Sequence, residues 1–132
     1  MRQQPVFLSV DNVLYMHSDS IRNEGGADGV RDLALLEAAV MMPQQQFGGE
    51  YLHYGLPAMA GAYLYHIACN HPFVDGNKRA AAMAAFVFLD ANGHELTATE
   101  KGLEDTVLQV ASGAISKGDL ILWFEDNSRI SQ

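Results

Sequence analysis

Hydrophobic residues recur along this chain at helical spacing, in segments that end at glycine, proline or asparagine. Leu33, Leu36 and Val40 illustrate the pattern, since residues three and four positions apart share one face of a helix. Serine, aspartate and threonine precede several of these segments, where their side chains can accept a hydrogen bond from a first-turn amide. The pattern predicts helices over residues 9–22, 33–42, 56–70, 77–92, 99–115 and 116–123.

Two of these predicted helices have little charge to expose. Helix 56–70 contains no Asp, Glu, Lys or Arg, and helix 77–92 carries an alanine-rich face that permits close packing. Helices with so little charge to expose are expected in the middle of a domain. No internal repeat or linker divides the 132 residues, which are enough for one core. We therefore expect a single domain over 1–132.

Short segments between the helices predict a small amount of β structure. Residues 6–8 are expected to form an edge strand, and residues 94–96 a second short strand. Residues 43–55 are rich in glutamine and contain a Gly-Gly pair, which predicts an irregular loop or a small hairpin. The expected fold class is all-α, a compact bundle of about six helices with a short β-hairpin flap.

The charge balance and the hydropathy pattern each exclude a class of function. Eight basic and 16 acidic residues give a formal net charge of −8. Binding to a nucleic-acid backbone draws most of its affinity from cationic side chains, so no direct nucleic-acid binding is expected. Residues 51–74 lack Asp, Glu, Lys and Arg, but Pro57 and Asn70 interrupt them before they reach the length of a membrane span. No membrane association is expected.

Cysteine content and the start of the chain indicate the compartment. Cys69 is the single cysteine, which excludes an intramolecular disulfide and fits a reducing environment. Residues 1–5 are followed by only a short apolar run, so no secretory signal is predicted. We expect a cytoplasmic protein.

Chemically active side chains are concentrated in residues 71–79, His-Pro-Phe-Val-Asp-Gly-Asn-Lys-Arg, between the two apolar helices. Gly76 at the start of a helix lets backbone amides approach an anion, and the helix dipole favours negative charge there. Lys78 and Arg79 lie in the same first turn, where cations are unfavourable for helix stability. A bound polyphosphate would resolve this conflict, so the segment predicts a phosphate-binding site.

Each side chain of that segment suits one chemical task. Asp75 can hold Mg²⁺ through oxygen, while Asn77 and Arg79 can contact phosphate oxygens. Histidine is the commonest general base in proteins, so His71 could take a proton from an attacking hydroxyl. Phe73 is expected to pack underneath the segment as a structural anchor.

The same string resembles HxFxDxNKR, the defining motif of the Fic/Doc family. The six fixed positions are matched by His71, Phe73, Asp75, Asn77, Lys78 and Arg79. Outside the motif the resemblance is weaker, and the short chain is similar to the death-on-curing (Doc) toxins of that family. The resemblance implies that His71 is the base, that Asp75 is the Mg²⁺ ligand, and that ATP is held by Gly76, Asn77, Lys78 and Arg79.

The resemblance implies transfer from ATP to a protein hydroxyl, and four positions bear on which group is moved. Most family members move AMP, and their motif has Gly where this chain has Lys78 and a second Arg where it has Ala82. Doc-like toxins share the Asn-Lys-Arg ending and transfer the γ-phosphate to a threonine of elongation factor Tu, which stops translation. Pro72 and Gly76 resemble the AMP-transferring version.

From these positions we expect a toxin that phosphorylates a Ser or Thr hydroxyl of a translation factor with ATP and Mg²⁺. The alternatives are AMP transfer by the same motif and a catalytically silent binding module with the same fold. Every residue that the motif's chemistry requires is present, which favours an enzyme over a silent module.

Two further expectations concern control of the site. Residues 20–25 fit the family's loose inhibitory pattern [ST]xxxE[GN], but they are expected to leave the helix for a Gly-rich loop. Inhibition is therefore expected from a separate antitoxin chain. Residues 43–55 are expected to border the cleft entrance, where an antitoxin segment would fold and where Tyr51 and Tyr54 could contact a target peptide.

The remaining candidate residues have structural interpretations. A metal site of His66, Cys69 and His71 is conceivable, but the spacing matches no common zinc motif, so a buried structural His66 is preferred. Cys69 is expected to be a small buried helix residue and not a nucleophile. Surface positions or satisfied hydrogen bonds are expected for His17, His53 and His94.

Overall fold

Helices dominate residues 4–132, the part of the chain that the computed structural model describes. The six α-helices are α1 Val10–Glu24, α2 Leu33–Met41, α3 Leu56–Asn70, α4 Asn77–Ala91, α5 Glu100–Ala111 and α6 Lys117–Asp126. A 3₁₀ turn, Met42–Gln44, follows α2. The predicted all-α fold is confirmed. Residues 1–3, which belong to the segment where no secretory signal was predicted, lie outside the described part.

The predicted capping residues begin four of these helices, while some helix ends differ from the prediction. First-turn N–H groups donate to the side chains of Ser9, Asp32, Thr99 and Ser116. Helix α5 ends at Ala111, earlier than residue 115, because Gly113 turns the chain away with a φ of +77°. Helix α1 continues to Glu24, beyond residue 22, and Gly25 caps it with a φ of +89°.

Two small antiparallel sheets accompany the helices. The predicted hairpin forms from β1 Gln46–Phe47 and β2 Glu50–Tyr51. The predicted strand at 94–96 is β3 His94–Leu96, and it pairs with β4 Ser128–Ile130, which the sequence pattern did not indicate.

The prediction of an edge strand at residues 6–8 is wrong, because side chains take the place of a neighbouring strand. Asn92 Oδ1 accepts the Val6 N–H at 2.7 Å, and Asn92 Nδ2 donates to the Val6 carbonyl at 3.0 Å. The Tyr63 hydroxyl accepts the Leu8 N–H at 2.9 Å. This segment is therefore fastened to the bundle without forming a ladder.

Helices α3 and α4 form the centre of the bundle and pack against each other along their length. The small side chains on the inner face of α4 are buried, which lets the two helices approach closely; they are Ala80, Ala81, Ala84 and Ala85. Tyr63 and Phe88 fill the space farther along, with ring centroids 5.1 Å apart. Burial raises the pKa of Tyr63 to about 12. None of the helices in the described part has the length and hydrophobicity needed to cross a membrane.

Candidate active site

The motif forms a short loop that leads from the end of α3 into the start of α4, and its backbone turns sharply at two residues. His71 ends α3 with φ +48° and ψ +55°, and Gly76 begins α4 with φ +76°. Among the described residues, His71 is the only non-glycine with positive φ. Arg31 supports this conformation, because its guanidinium donates to the carbonyls of His71 at 2.6 Å and Asn70 at 2.9 Å.

Phe73 and Asn77 fasten the middle of the loop to the core. The Phe73 side chain is 1% exposed, at the position expected of an anchor. Asn77 Oδ1 accepts the Phe73 N–H at 2.9 Å, and Asn77 Nδ2 donates to the Phe73 carbonyl at 3.0 Å. Asn77 is itself 9% exposed, so its observed contacts are with the loop. The predicted contact of Asn77 with phosphate stays a prediction.

The Asp75 carboxylate lies at the surface and is held by two backbone amides. Oδ2 accepts the Ala27 N–H at 3.2 Å, and Oδ1 accepts the Gly76 N–H at 2.8 Å. These two hydrogen bonds, with a smaller contribution from Arg79, lower the pKa of Asp75 below its ordinary value. The carboxylate is therefore ionised at neutral pH, and each oxygen keeps lone pairs for a hard cation.

Gly26 explains how the neighbouring loop comes so close to that carboxylate. Its φ is +114°, and a Cβ atom built there would lie 2.8 Å from Asp75 Oδ2 and 3.1 Å from Arg79 Nη2. Only glycine therefore lets the chain after α1 pass over Asp75. The Gly-rich loop was predicted from the sequence, but its contact with Asp75 was not.

The two cations of the motif have different surroundings. Arg79 Nη2 donates to the Gly25 carbonyl at 2.8 Å, and Arg79 Nη1 lies 3.4 Å from Glu24 Oε2. Lys78 is exposed and forms no ion pair within the described residues. No side chain caps the N-terminus of α4 beside it, so first-turn N–H groups remain available to an anion.

The Arg79–Glu24 pair bears on residues 20–25, the segment that fits the inhibitory pattern. The prediction that this segment leaves the helix is wrong, since α1 includes it as far as Glu24. Gly25, in the last position of the pattern, ends the helix, and its N–H donates to the Ile21 carbonyl. A phosphate group and Glu24 would compete for the same Arg79 guanidinium.

His71 projects an exposed imidazole that makes no hydrogen bond to the described residues.

The metal site of His66, Cys69 and His71 that the sequence left open is not supported by the other two side chains. Cys69 is exposed, so the prediction that it is buried is wrong, and desolvation raises the pKa of its thiol. Burial, together with Lys117 and His53, lowers the pKa of His66 to about 4. Among the described residues no three His, Cys, Asp or Glu side chains are arranged to hold a metal ion by themselves.

The hairpin β1–β2 does not border the motif, so the predicted position of residues 43–55 at the cleft entrance is wrong. A cavity of about 880 Å³ lies between the hairpin and the far end of α4, and its lining includes Gly49, Glu50, Tyr51, Ala91 and Asn92. The 15 residues of α4 span about 22 Å at 1.5 Å per residue. Because α4 begins at the motif and ends at this cavity, the hairpin lies at the opposite end of the bundle.

Sequence reasoning missed His17, which lies directly beneath the motif. The His17 side chain is 2% exposed, and its ring is stacked on Phe73 with centroids 3.7 Å apart and planes 6° from parallel. His17 Nε2 lies 2.6 Å from the Asp75 carbonyl oxygen. Of the two alternatives predicted for His17, a surface position or a satisfied hydrogen bond, the second is observed. Its spacing from the buried Val13 and Ile21 could have placed it on the inner face of α1.

Comparison with known proteins identifies the class to which this fold and site belong. Residues 7–89 match the Fic/DOC family, and the chain is a member of that family. The family predicted from residues 71–79 is thus confirmed.

Two relatives are named for particular activities. The toxin Doc of Mycolicibacterium smegmatis is 47% identical over 74 residues, which cover 56% of this chain and 57% of that protein. Protein kinase doc of Escherichia phage P1 is 30% identical over 109 residues, which cover 83% of this chain and 85% of that protein. The first match therefore spans little more than half the length of either protein.

Proposed function

We propose that this chain is a toxin that uses ATP and Mg²⁺ to phosphorylate a Ser or Thr hydroxyl of a translation factor, with elongation factor Tu as the first candidate. The observation that carries the proposal is one surface shared by His71, Asp75 and the uncapped start of α4. The names of the two relatives, a toxin and a protein kinase, support the same class of activity.

The residues of the loop fit a magnesium-bound polyphosphate. Mg²⁺ is usually bound by one or two carboxylates together with substrate phosphates, and a single ionised Asp75 suits this arrangement. When bound, the ion would neutralise phosphate charge. Lys78 and the first-turn amides of α4 would hold phosphate oxygens, and Arg79 would join them on release from Glu24.

In the proposed reaction His71 takes the proton from the acceptor hydroxyl. The hydroxyl oxygen then forms a bond to the γ-phosphorus while the bond from that phosphorus to the bridging oxygen breaks, and ADP leaves with the electron pair. Catalysis of this kind depends on positioning and charge stabilisation. The exposure of His71 at a fixed left-handed position gives the base access to a protein substrate.

Two residues favour γ-phosphate over AMP transfer. Lys78 and Ala82 both face the groove beside the motif, one turn apart on α4. A lysine where AMP-transferring relatives have glycine places a bulky cation among the phosphates, and Ala82 offers no second guanidinium. Both features disfavour the nucleotide orientation that exposes the α-phosphorus to the acceptor oxygen.

Intact mass spectrometry of elongation factor Tu, after incubation with this chain, Mg²⁺ and ATP, tests the proposal. The expected result is a mass gain of one phosphoryl group, which requires that His71 be present. A gain of one AMP would instead establish the alternative reaction. An unmodified factor, together with no label transfer from ATP to any protein of a bacterial lysate, would favour the silent binding module.

We also propose that an antitoxin chain binds the groove between α4 and α5. This groove of about 680 Å³ has an apolar floor, and its lining includes Met83, Phe86, Leu103, Val107 and Leu108. Phe86 is 50% exposed and Leu108 is 53% exposed, although both are large and apolar. Arg79 lines one end of the groove, so an apolar segment bound there would also cover the phosphate site.

The antitoxin proposal predicts that Phe86→Ser combined with Leu108→Ser weakens neutralisation while growth arrest persists. Each removed apolar contact is expected to weaken binding by about 1–3 kcal/mol. The measurement is growth during co-expression with the product of the neighbouring reading frame. Leu122→Ser, which changes an exposed leucine of α6 outside the groove, serves as the control. Unchanged neutralisation of the double variant would contradict the proposal.

A further inference from the structure

We propose that His17 is a positioning residue that fixes the orientation of the Asp75 carboxylate by holding the peptide unit between Asp75 and Gly76. The inference rests on the proposed function for its catalytic consequence. Its structural part concerns only the contacts among His17, Asp75 and Gly76, which do not depend on any reaction.

The hydrogen bond from His17 to the loop has a definite direction. A carbonyl oxygen can only accept, so the contact of 2.6 Å between His17 Nε2 and the Asp75 oxygen places a hydrogen on Nε2. The Nδ1 atom lies 3.7 Å from Asp28 Oδ1, which is beyond hydrogen-bond distance. His17 is therefore oriented by its bond to the motif and by its stacking on Phe73.

The held peptide unit connects His17 to the carboxylate. Its C=O accepts from His17, and its N–H, which belongs to Gly76, donates at 2.8 Å to the Asp75 side chain. Because a peptide unit is planar, rotation about its flanking bonds would move both groups and break both hydrogen bonds. The donor on His17 thus fixes the direction of the N–H that holds Asp75 Oδ1.

The floor beneath this peptide unit is also built by α1. A Cβ atom at Gly76 would lie 3.2 Å from Ile21 Cδ1 and 3.5 Å from His17 Nε2. The unit therefore rests directly on the helix face that carries His17. The Ala27 N–H, in the chain after α1, holds the second carboxylate oxygen, so each oxygen has its own backbone donor.

Three substitutions separate this positioning role from simple packing. His17→Phe keeps an aromatic ring against Phe73 but removes the donor. His17→Gln removes the ring but can place an amide nitrogen near the position of Nε2. His17→Asn also removes the ring, and its shorter side chain does not reach the Asp75 carbonyl. The Gln and Asn variants therefore form a matched pair that differs in reach.

The direct measurement is hydrogen exchange at the Gly76 amide in the full chain without nucleotide. We expect about tenfold faster exchange in His17→Phe and His17→Asn, because the constraint on the N–H is lost, and near wild-type exchange in His17→Gln. Wild-type exchange in both the Phe and Asn variants would overturn the inference. If the Phe variant does not fold, equal exchange in the Asn and Gln variants would also overturn it.

The functional measurement is the Mg²⁺ concentration that gives half-maximal phosphate transfer. We expect it to rise about 10–100-fold in His17→Phe and to recover in His17→Gln, as for other residues that orient a metal ligand. A variant that loses only stability would keep the wild-type Mg²⁺ dependence below its melting temperature, which would contradict the role. Absence of transfer by the wild-type chain would refute the proposed function, while the exchange measurement would still test His17.

Discussion

Replacement of His71 by alanine should reduce phosphate transfer by about 10²–10⁴-fold, the usual contribution of a general base. The fold should survive, because the imidazole is exposed and makes no hydrogen bond to the described residues. Arg31 binds the His71 carbonyl, which alanine retains. The measurements are label transfer from ATP and the growth of cells that express the variant. Growth arrest at the wild-type dose would contradict the role of His71.

The left-handed backbone of His71 calls for a second variant. Alanine is less favourable than histidine or asparagine at positive φ, so His71→Ala carries a small conformational penalty in addition to the loss of the base. His71→Asn tolerates the same backbone and also lacks a proton acceptor of suitable basicity. Both variants should show the same loss of phosphate transfer, and His71→Asn should melt close to the wild type. His94→Ala, which removes a histidine of β3, should remain active.

The helices were predictable because their signals are local. N-terminal caps such as Ser9 and Ser116 act within a few positions of the helix that they begin. The motif was predictable for a related reason, since its six fixed positions lie within one loop and one helical turn. Local spacing thus accounts for the family and for most helix bounds.

The errors concern contacts between residues far apart in the sequence. Residues 6–8 have strand character, yet Asn92 and Tyr63, both distant in the sequence, take their backbone hydrogen bonds. The hairpin itself was predicted, but its place beside the motif was wrong, although the chain order puts the hairpin before the start of α3 and the motif after its end. His17 and Glu24 approach the motif only because α1 packs against α4. Sequence spacing shows which face of a helix is buried, but it does not show which other element packs against that face.

Asp75 illustrates how such a distant contact changes the meaning of a predicted site residue. From the sequence, Asp75 is a metal ligand at the end of a loop. In the structure its carboxylate also joins the motif to the chain after α1, through the Ala27 amide. Substitution at Asp75 therefore removes a negative charge and loosens a connection between two segments, and an experiment has to measure the two effects separately.

Replacement of Asp75 by asparagine should lower transfer by about 10²–10³-fold, because the Mg²⁺ ligand loses its charge and phosphate charge is no longer neutralised at that position. Asparagine keeps one oxygen, which can accept from Gly76 or from Ala27 but hardly from both. Gly26→Ala is the matched variant, since it disturbs the approach of the Ala27 segment while the carboxylate charge remains. If the loss of the metal ligand lowers activity, excess Mg²⁺ or Mn²⁺ should partly restore transfer by Asp75→Asn. If the loosened loop lowers it, Gly26→Ala should lose as much transfer activity as Asp75→Asn. Equal transfer by the wild-type chain in excess EDTA would rule out the metal role of Asp75.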